Sequence, residues 1–386
     1  MDALNRVIHS ASLVDDGHEI PDAWLVVRDG RVAARGTGDG WRSAVADAPV
    51  DEIVDAAEAA GPGATLTPGF IDIHGHGGGG AAYDDGVDAI RAARELHRAH
   101  GTTRAVISLV TASVDDLARR VSAIADLVEA DDTVLGSHLE GPFLDPGHHG
   151  AHDPGLLIGP ADDAVARLLD AGRGTVRQIT IAPELPGALA AIERIVAAGA
   201  AAAVGHTDAD AETARAAFDA GATILTHAFN AMPGLHHREP GPIGAATADP
   251  RITLEVIADG VHLAPEVVRI AFAAAPGRIA LVTDAMAAAG SADGDYVLGA
   301  LAVRVENTVA RLLDGTIAGS TLTQDAALRT AVAAGVSLPA AVTALTAAPA
   351  RAIGRPDLGS LSVGSPADAV LLDADLHVRR VWNGRA

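Results

Sequence analysis

Pro68-Gly69-Phe70-Ile71-Asp72-Ile73-His74-Gly75-His76, followed by four glycines, is the stretch that decides how this chain folds. An apolar run ending in two imidazoles reads as a strand that delivers chemistry at its C-terminal end. The strand period of two sends Asp72, His74 and His76 to one face. Two imidazoles on one face, separated by a glycine, can grip one ion; the plainer alternative is a polar strand end running into a flexible loop. The same arrangement of apolar run and polar end recurs at TTRAVISLVT from Thr102, TVLGSHLEGPF from Thr133, VRQITIAPEL from Val176, AAAVGHTDA from Ala201, ATILTHAFNAM from Ala222, ITLEVIADGVH from Ile252 and RIALVTDAM from Arg278. With LTPGFIDIHGH from Leu66 these make eight candidate strands. The stretches between them, such as VDAIRAARELHRAHG and LPGALAAIERIVAAGA, carry helical periodicity and close on a glycine suited to a helix C-terminus. Eight strands alternating with helices predict an α/β fold, a (β/α)8 TIM barrel rather than an open sheet.

Residues 1 to about 65 read instead as short strands with turn signals, as does the tail from about residue 358 to 386. Both ends of the chain are therefore expected to build one small β-sandwich, leaving 66–357 as the catalytic barrel. YVLGALAVRVENTVARLLDGTIAGS, near 296–318, reads as a β-hairpin inserted between the eighth strand and two closing helices.

Composition narrows the function. The 386 residues contain no cysteine, which excludes disulfides, thiolate ligands and cysteine nucleophiles, so any metal is held by nitrogen and oxygen. A formal charge of −22 argues against nucleic acid as a partner, whose phosphates need dense Lys and Arg. A small phosphorylated ligand would likewise be repelled at long range, so its site needs a local cluster of Arg and His. No run of about 20 apolar residues reads as a membrane span, and the first residues lack the order of a secretory signal. The expectation is a cytoplasmic protein.

If the barrel is right, working residues lie at the C-terminal ends of its strands. The third strand ends in Ser137-His138-Leu139-Glu140, the fifth runs into Gly205-His206-Thr207-Asp208, the sixth into Thr226-His227-Ala228-Phe229-Asn230, and the eighth into Asp284. Any one of these alone reads as a satisfied polar residue. Together, His74, His76, Glu140, His206 and His227, with Asp284, make a set of neutral imidazoles and carboxylates that suits zinc and similar divalent ions.

Nine motifs in one order span essentially the whole chain: PGFIDIHGHGGGG at Pro68, HLEGPF at His138, GAHDP at Gly150, GHTDA at Gly205, THAFNAM at Thr226, REPG at Arg238, ADGVH at Ala258, VTDA at Val282 and AGS at Ala318. In these the chain resembles the N-acetylglucosamine-6-phosphate deacetylases of the amidohydrolase superfamily. The resemblance implies that Glu140, His206 and His227 hold one divalent ion and that His74 and His76 help hold a second, with Glu140 bridging. Zinc is the first choice and ferrous iron its rival. It implies removal of acetate from N-acetylglucosamine 6-phosphate by water that the metal activates, with Asp284 taking a proton from the water and returning it to the leaving amine. The alternative for Asp284 is a carboxylate that only orients His74 or His76.

For the substrate, the resemblance assigns Arg238 and His262 to the phosphate, with Asn230 and Ala231 contributing, and His152 to the sugar or developing oxyanion. Ala151, Asp259, Gly260, Val261, Ile317, Ala318 and Gly319 match the sugar pocket. In that family the arginine comes from the neighbouring subunit, which implies a homodimer. His9, His18, His97, His100 and His377 fall off the strand ends and read as surface residues, while His148, His149, His236 and His237 sit in loops at the barrel mouth. Two other readings stay open. An enzyme for N-acetylgalactosamine 6-phosphate or another N-acetylated sugar phosphate would keep every motif. A non-catalytic scaffold would be expected to have lost ligands that this chain retains.

Overall fold

The computed structural model describes residues 5–46 and 49–384, so the outermost residues of the expected end-built domain, 1–4 and 385–386, and residues 47–48 lie outside it. Eight parallel strands follow one another around a barrel in chain order: Phe70–Asp72, Thr102–Val110, Val134–Glu140, Val176–Ile181, Ala201–Val204, Ile224–Leu225, Thr253–Val256 and Ile279–Leu281. All eight sequence-predicted strands are present. The longest, Thr102–Val110, is buried at every position, as expected of a parallel strand with side chains packed on both faces. The longer helices outside, such as Val87–Ala99 and Val114–Ala130, show one apolar stripe each. In Val114–Ala130 the buried side chains include Leu117, Val121 and Ile124, at helical spacing, and the Ser113 hydroxyl accepts the Asp116 amide to start the helix.

Seven of the junctions around the barrel are strand ladders. The eighth, between the first and last strands, has no ladder and is closed by side chains and by main-chain bonds just beyond the strand ends. Gln324 donates through Nε2 to the carbonyls of Ile71 and Leu281, at 3.2 and 3.1 Å, so one amide bridges the two strands. Above it the Thr283 hydroxyl donates to Asp72 Oδ2 at 2.6 Å, and the Asp284 amide donates to the His74 carbonyl at 2.8 Å. Asp72 therefore serves the barrel seam. Burial pushes its carboxyl up to about 6, even though Thr283 and the His74 amide donate to it.

The run from Leu66, read as one strand, is two. Thr65–Pro68 pairs with Arg6–Asp15 and Ala369–Leu372 in a seven-stranded sheet, and Phe70–Asp72 begins the barrel. Gly69 stands at the crossing, where a Cβ would collide with the Thr103 side chain. The sheet draws its other strands from His18–Arg28, Arg31–Thr37, Glu52–Asp55 and Val378–Trp382, so both ends of the chain build it. Its alternation fills two apolar layers: Ile8, Leu25 and Val27 enter one, and Val7, Trp24 and Val26 the other. Arg104, fully buried on the second barrel strand, ties the sheet to the barrel through Asp368, 2.5 Å from its Nε, and the Asp132 and Gly384 carbonyls. After the eighth strand the inserted segment has three antiparallel strands, Gly294–Leu298, Leu301–Glu306 and Val309–Leu312, one more than a hairpin. Helices Gln324–Ala333, Leu338–Leu345 and Ala347–Ala352 then close the barrel.

One surface assignment is corrected. His97 is only 2 % exposed, because it lies on the inward stripe of helix Val87–Ala99 and donates through Nε2 to the Gly77 carbonyl at 2.8 Å. A histidine at that helical phase is a tether for the glycine loop behind His76. His18 and His377 are exposed as read, whereas His9 stacks on Trp41 and His100 pairs with Asp325 at 3.0 Å.

Burial pushes the His97 imidazole down to about 4, against an ordinary value of 6.5. Between those values the unfolded chain binds a proton that the folded ring refuses, so stability falls as pH drops from 6.5 towards 4, by up to about 3 kcal/mol. His97→Gln, which keeps a donor but cannot titrate, should flatten that part of the pH dependence. Urea unfolding of both proteins from pH 7 to pH 4 measures it, and parallel curves would refute the assignment.

Candidate metal centre and substrate cavity

The side chains at the barrel mouth converge on the Glu140 carboxylate. Its Oε1 lies 3.2 Å from His74 Nε2, 3.2 Å from His206 Nε2 and 3.1 Å from His227 Nε2. Its Oε2 lies 3.0 Å from His76 Nε2 and 3.4 Å from His152 Nε2. Asp284 Oδ1 stands 3.5 and 3.4 Å from the Nε2 atoms of His74 and His76. Five imidazoles and two carboxylates are thus packed together, all nearly or fully buried.

Short strands and sharp turns produce this convergence. The first strand ends at Asp72, and Gly75 lets the chain turn between the two histidines; a Cβ there would come within 2.9 Å of Thr283 Oγ1. His206, His227 and Asp284, just beyond strands five, six and eight, all have positive φ, at 47°, 26° and 47°. That region is unfavourable for residues with a Cβ, and its occurrence at three cluster residues marks backbone held against local preference at a working site.

The hydrogen bonds at the far ring nitrogens show what the cluster is built to hold. His206 Nδ1 faces the His148 carbonyl at 2.8 Å and must donate to it. His74 Nδ1 faces Glu255 Oε2 at 2.9 Å and donates likewise. In a neutral ring this leaves Nε2 as a bare lone pair aimed at Glu140 Oε1. Such pairs repel unless a cation lies between them. Burial pushes the His206 imidazole down to about 4, so this ring is neutral near pH 7 and its lone pair fits a divalent ion. Two overlapping groups have donor atoms within 4.8 Å of one another, His74, His76, Glu140 and Asp284 in one, and Glu140, His152 and His206 in the other. Glu140 belongs to both. His227 Nε2, 2.9 Å from His206 Nε2, borders the second group.

Without an ion, the charges of the cluster compensate one another. Burial works to raise the Glu140 carboxyl, but the His74 charge and hydrogen bonds from His152 and His227 hold it well below its ordinary range. Burial works against a charge on His76, and hydrogen bonds to Asp284 and Glu140 overcome it, raising the ring to about 9. Asp284 is also held low, because the charge of His74 and the hydrogen bond to His76 outweigh burial.

Above the cluster opens a cavity of about 360 Å³. Of the residues expected to meet substrate, Ala151, His152, Asn230, Ala231, His262, Ile317 and Gly319 line it, together with His76, Glu140, His206, His227 and Asp284. Asp259, Gly260, Val261 and Ala318 do not line it, and Gly260 and Val261 are exposed to solvent. Asp259 Oδ2 accepts from His262 Nδ1 at 2.7 Å, and its Oδ1 accepts the amides of Val261 and His262, both at 2.8 Å, so it aims the His262 ring. Ala318 is fully buried in the apolar cluster of the inserted strands. Arg238 is exposed on the loop after Asn230 and does not line the cavity of its own chain.

Several contributors were not singled out from sequence. Thr111 holds His152 Nδ1 at 2.8 Å through its hydroxyl, and His148 supplies a carbonyl rather than its ring to His206. Val110 and Leu298 form apolar wall. Glu255, fully buried in Thr253–Val256, is the fullest case: Gln178 Nε2 donates to its Oε1 at 2.7 Å, and the His227 amide to its Oε2 at 3.2 Å. A lone carboxylate in the apolar run ITLEVI was the available signal, since a parallel barrel strand has no solvent face for a charge.

Comparison with known proteins agrees with this architecture. The chain is 44 % identical to an N-acetyl-D-glucosamine-6-phosphate deacetylase variant of Mycobacterium smegmatis solved in complex with N-acetyl-D-glucosamine-6-phosphate, with a TM-score of 0.91 and 98 % of each chain covered. It is 38 % identical to an N-acetylgalactosamine-6-phosphate deacetylase of Escherichia coli O157:H7 over 98 % of each chain. It is also 34 % identical to an N-acetylglucosamine-6-phosphate deacetylase of Vibrio furnissii, over 82 % of this chain and 81 % of the other. The amidohydrolase family model matches residues 65–385, the stretch that carries the barrel and every residue of the cluster. By its fold, its imidazole and carboxylate cluster and this match, the chain belongs to the amidohydrolase family.

Proposed function

We propose that this protein removes the acetyl group from N-acetyl-D-glucosamine 6-phosphate, giving D-glucosamine 6-phosphate and acetate. The observation that carries the reading is the Glu140-centred cluster at the floor of a cavity large enough for a sugar phosphate, in a chain with deacetylase relatives along almost its whole length. Glu140, His206 and His227 would hold one divalent ion, zinc first and ferrous iron second, and His74 and His76 a second, with Glu140 shared. A divalent ion there supplies a Lewis acid for the amide carbonyl and lowers the pKa of water.

The protein's own groups do the rest. Asp284, ionised and within reach of the cluster, takes a proton from the attacking water and delivers it to the departing nitrogen, so that acetate and the free amine leave in balance. His262, aimed by Asp259, and His152, aimed by Thr111, point polar nitrogen into the cavity for the sugar and its phosphate. Arg238 is assigned to the phosphate in the cavity of a second copy, which its exposure supports, and which makes the working form a homodimer. A planar guanidinium fork suits a phosphate and reverses the repulsion of a chain carrying −22 charges. No helix among the described residues is long and apolar enough to cross a membrane, and we place the reaction in the cytoplasm. Residues 66–357 are taken as the catalytic barrel, and 1–65 with 358–386 as the domain built from both ends.

The second reading, deacetylation of N-acetylgalactosamine 6-phosphate, is favoured by the relative at 38 % identity. Measuring kcat/KM on both sugar phosphates decides between them; a higher value for the galactosamine compound would overturn the first choice.

Elemental analysis should find one to two equivalents of divalent metal per chain, chelation should abolish activity reversibly, and His206→Ala should deplete metal. Active enzyme free of metal would refute the mechanism. Asp284→Asn preserves shape but cannot carry a proton, so kcat should fall by roughly 10²–10⁴ with a smaller change in KM and retained metal. Near-normal turnover would exclude Asp284 as the proton carrier. Arg238→Ala should cost about 2–5 kcal/mol in transition-state binding with the phosphorylated sugar and far less with N-acetylglucosamine itself. Mixed dimers of Arg238→Ala and Asp284→Asn chains should regain activity; verified hybrids without recovery would place the arginine in its own site.

A further inference from the structure

The imidazoles of the cluster are not anchored alike. His206 Nδ1 rests on the His148 carbonyl and His152 Nδ1 on the Thr111 hydroxyl, while the Nδ1 atoms of His76 and His227 have no hydrogen-bond partner among the described residues. His74 alone is anchored by a carboxylate: its Nδ1 lies 2.9 Å from Glu255 Oε2, and both side chains are wholly inaccessible to solvent. The same oxygen accepts the His227 backbone amide at 3.2 Å, at a residue whose φ is 26°. Glu255 therefore touches one side chain and one main-chain group of the cluster and lies below the cavity without lining it.

A fully buried carboxylate is costly unless its oxygens are satisfied. Here Gln178 Nε2 donates to Oε1 at 2.7 Å, and Oε2 takes the other two bonds. An apolar residue of similar volume would fill the space without that cost, so the retained charge needs another reason. A carboxylate on the far nitrogen of an imidazole fixes the Nδ1–H tautomer, points Nε2 as a lone pair at the ion and strengthens it as a donor.

We propose that Glu255 is a positioning residue that sets the affinity of the second ion site, the one built from His74 and His76, by fixing and strengthening His74. The proposal rests on the two-ion reading above. It touches neither substrate nor reacting atoms, so its test is ion binding rather than turnover.

Glu255→Gln suits the test because the network can accommodate it. The new amide oxygen can accept from His74 and His227, and Gln178, whose Oε1 has no partner, can rotate to accept the new NH₂. The full-length protein is stripped of metal and titrated with Zn²⁺ against a competing chelator, then with Co²⁺ followed by its visible spectrum. Expected for Glu255→Gln is one ion bound as in the unsubstituted protein and the second weakened by about 10–100-fold, the usual effect of removing such an outer partner, with a larger loss in Glu255→Ala. Histidine-selective ¹⁵N resonances of the unsubstituted, zinc-loaded protein add a readout free of any folding defect. The His74 signal, identified by its loss in His74→Asn, should show Nδ1 protonated and Nε2 carrying no proton. Unchanged affinity for the second ion in Glu255→Gln, or a His74 ring protonated on Nε2, would overturn the proposal. Unsubstituted protein that binds no ion would sink the metal reading and this inference together, whereas two ions bound without deacetylase activity would leave this inference standing and remove only the substrate assignment.

Discussion

A carboxylate that accepts from several neutral imidazoles through the same oxygen cannot do so with lone pairs alone. Three Nε2 atoms lie within 3.2 Å of Glu140 Oε1, and the outer nitrogens of two of these rings are committed as donors to the His148 carbonyl and to Glu255. The mouth of the barrel is consistent only if positive charge sits among these groups, either as protons on the rings or as a metal ion. In the ion-free state protons supply it, which is why His76 is raised to about 9 while Glu140 and Asp284 stay ionised. Ion binding would release such protons, because a ring cannot carry a proton and a metal on the same nitrogen.

Holding like groups this close requires a rigid frame, and the frame is weakest where it closes. The first and last barrel strands share no ladder; Gln324 spans them, and Asp72 with Thr283 and the Asp284 amide with the His74 carbonyl complete the seam. The residues on either side of that seam are His74, His76 and Asp284. Barrel closure and the geometry between His74, His76 and the Asp284 carboxylate are thus one structural problem, with Glu255 behind His74 and His97 behind the glycine loop adding support from below and outside.

The deeper parts of the protein divide by what each side chain meets. His138, between Ser108 and Thr180 hydroxyls at 2.9 and 2.8 Å, is fully partnered and stays inside the barrel, one turn of the strand away from Glu140. Two polar residues on the same face of one strand therefore have different work, because Glu140 stands at the C-terminal end of the strand and His138 one side-chain repeat deeper. The inserted three-stranded sheet contributes in another way: its Leu298 and the strand-end residue Val110 give the cavity an apolar wall beside the charged floor.

The order of strands, the barrel, the sheet shared by the chain ends and six of the seven residues of the cluster were legible in the sequence, because each is a local pattern: apolar runs of strand length, which in the barrel end in His, Glu or Asp. His97, Glu255 and Gln324 were not. Their roles depend on partners far along the chain, Gly77 for the first, His74 at a separation of 181 residues for the second, and the first and last strands of the barrel for the third. A hydrogen-bond partner is set by position in space, and no periodicity records it. Nor could motif order alone separate cavity-lining residues from those behind them, such as Asp259, which aims His262, and Ala318, which is packed away. What the sequence determined by itself was which chemical groups stand at the strand ends. Only barrel closure decided which of those groups face one another, which nitrogen of each ring is free, and which oxygen of Glu140 they share.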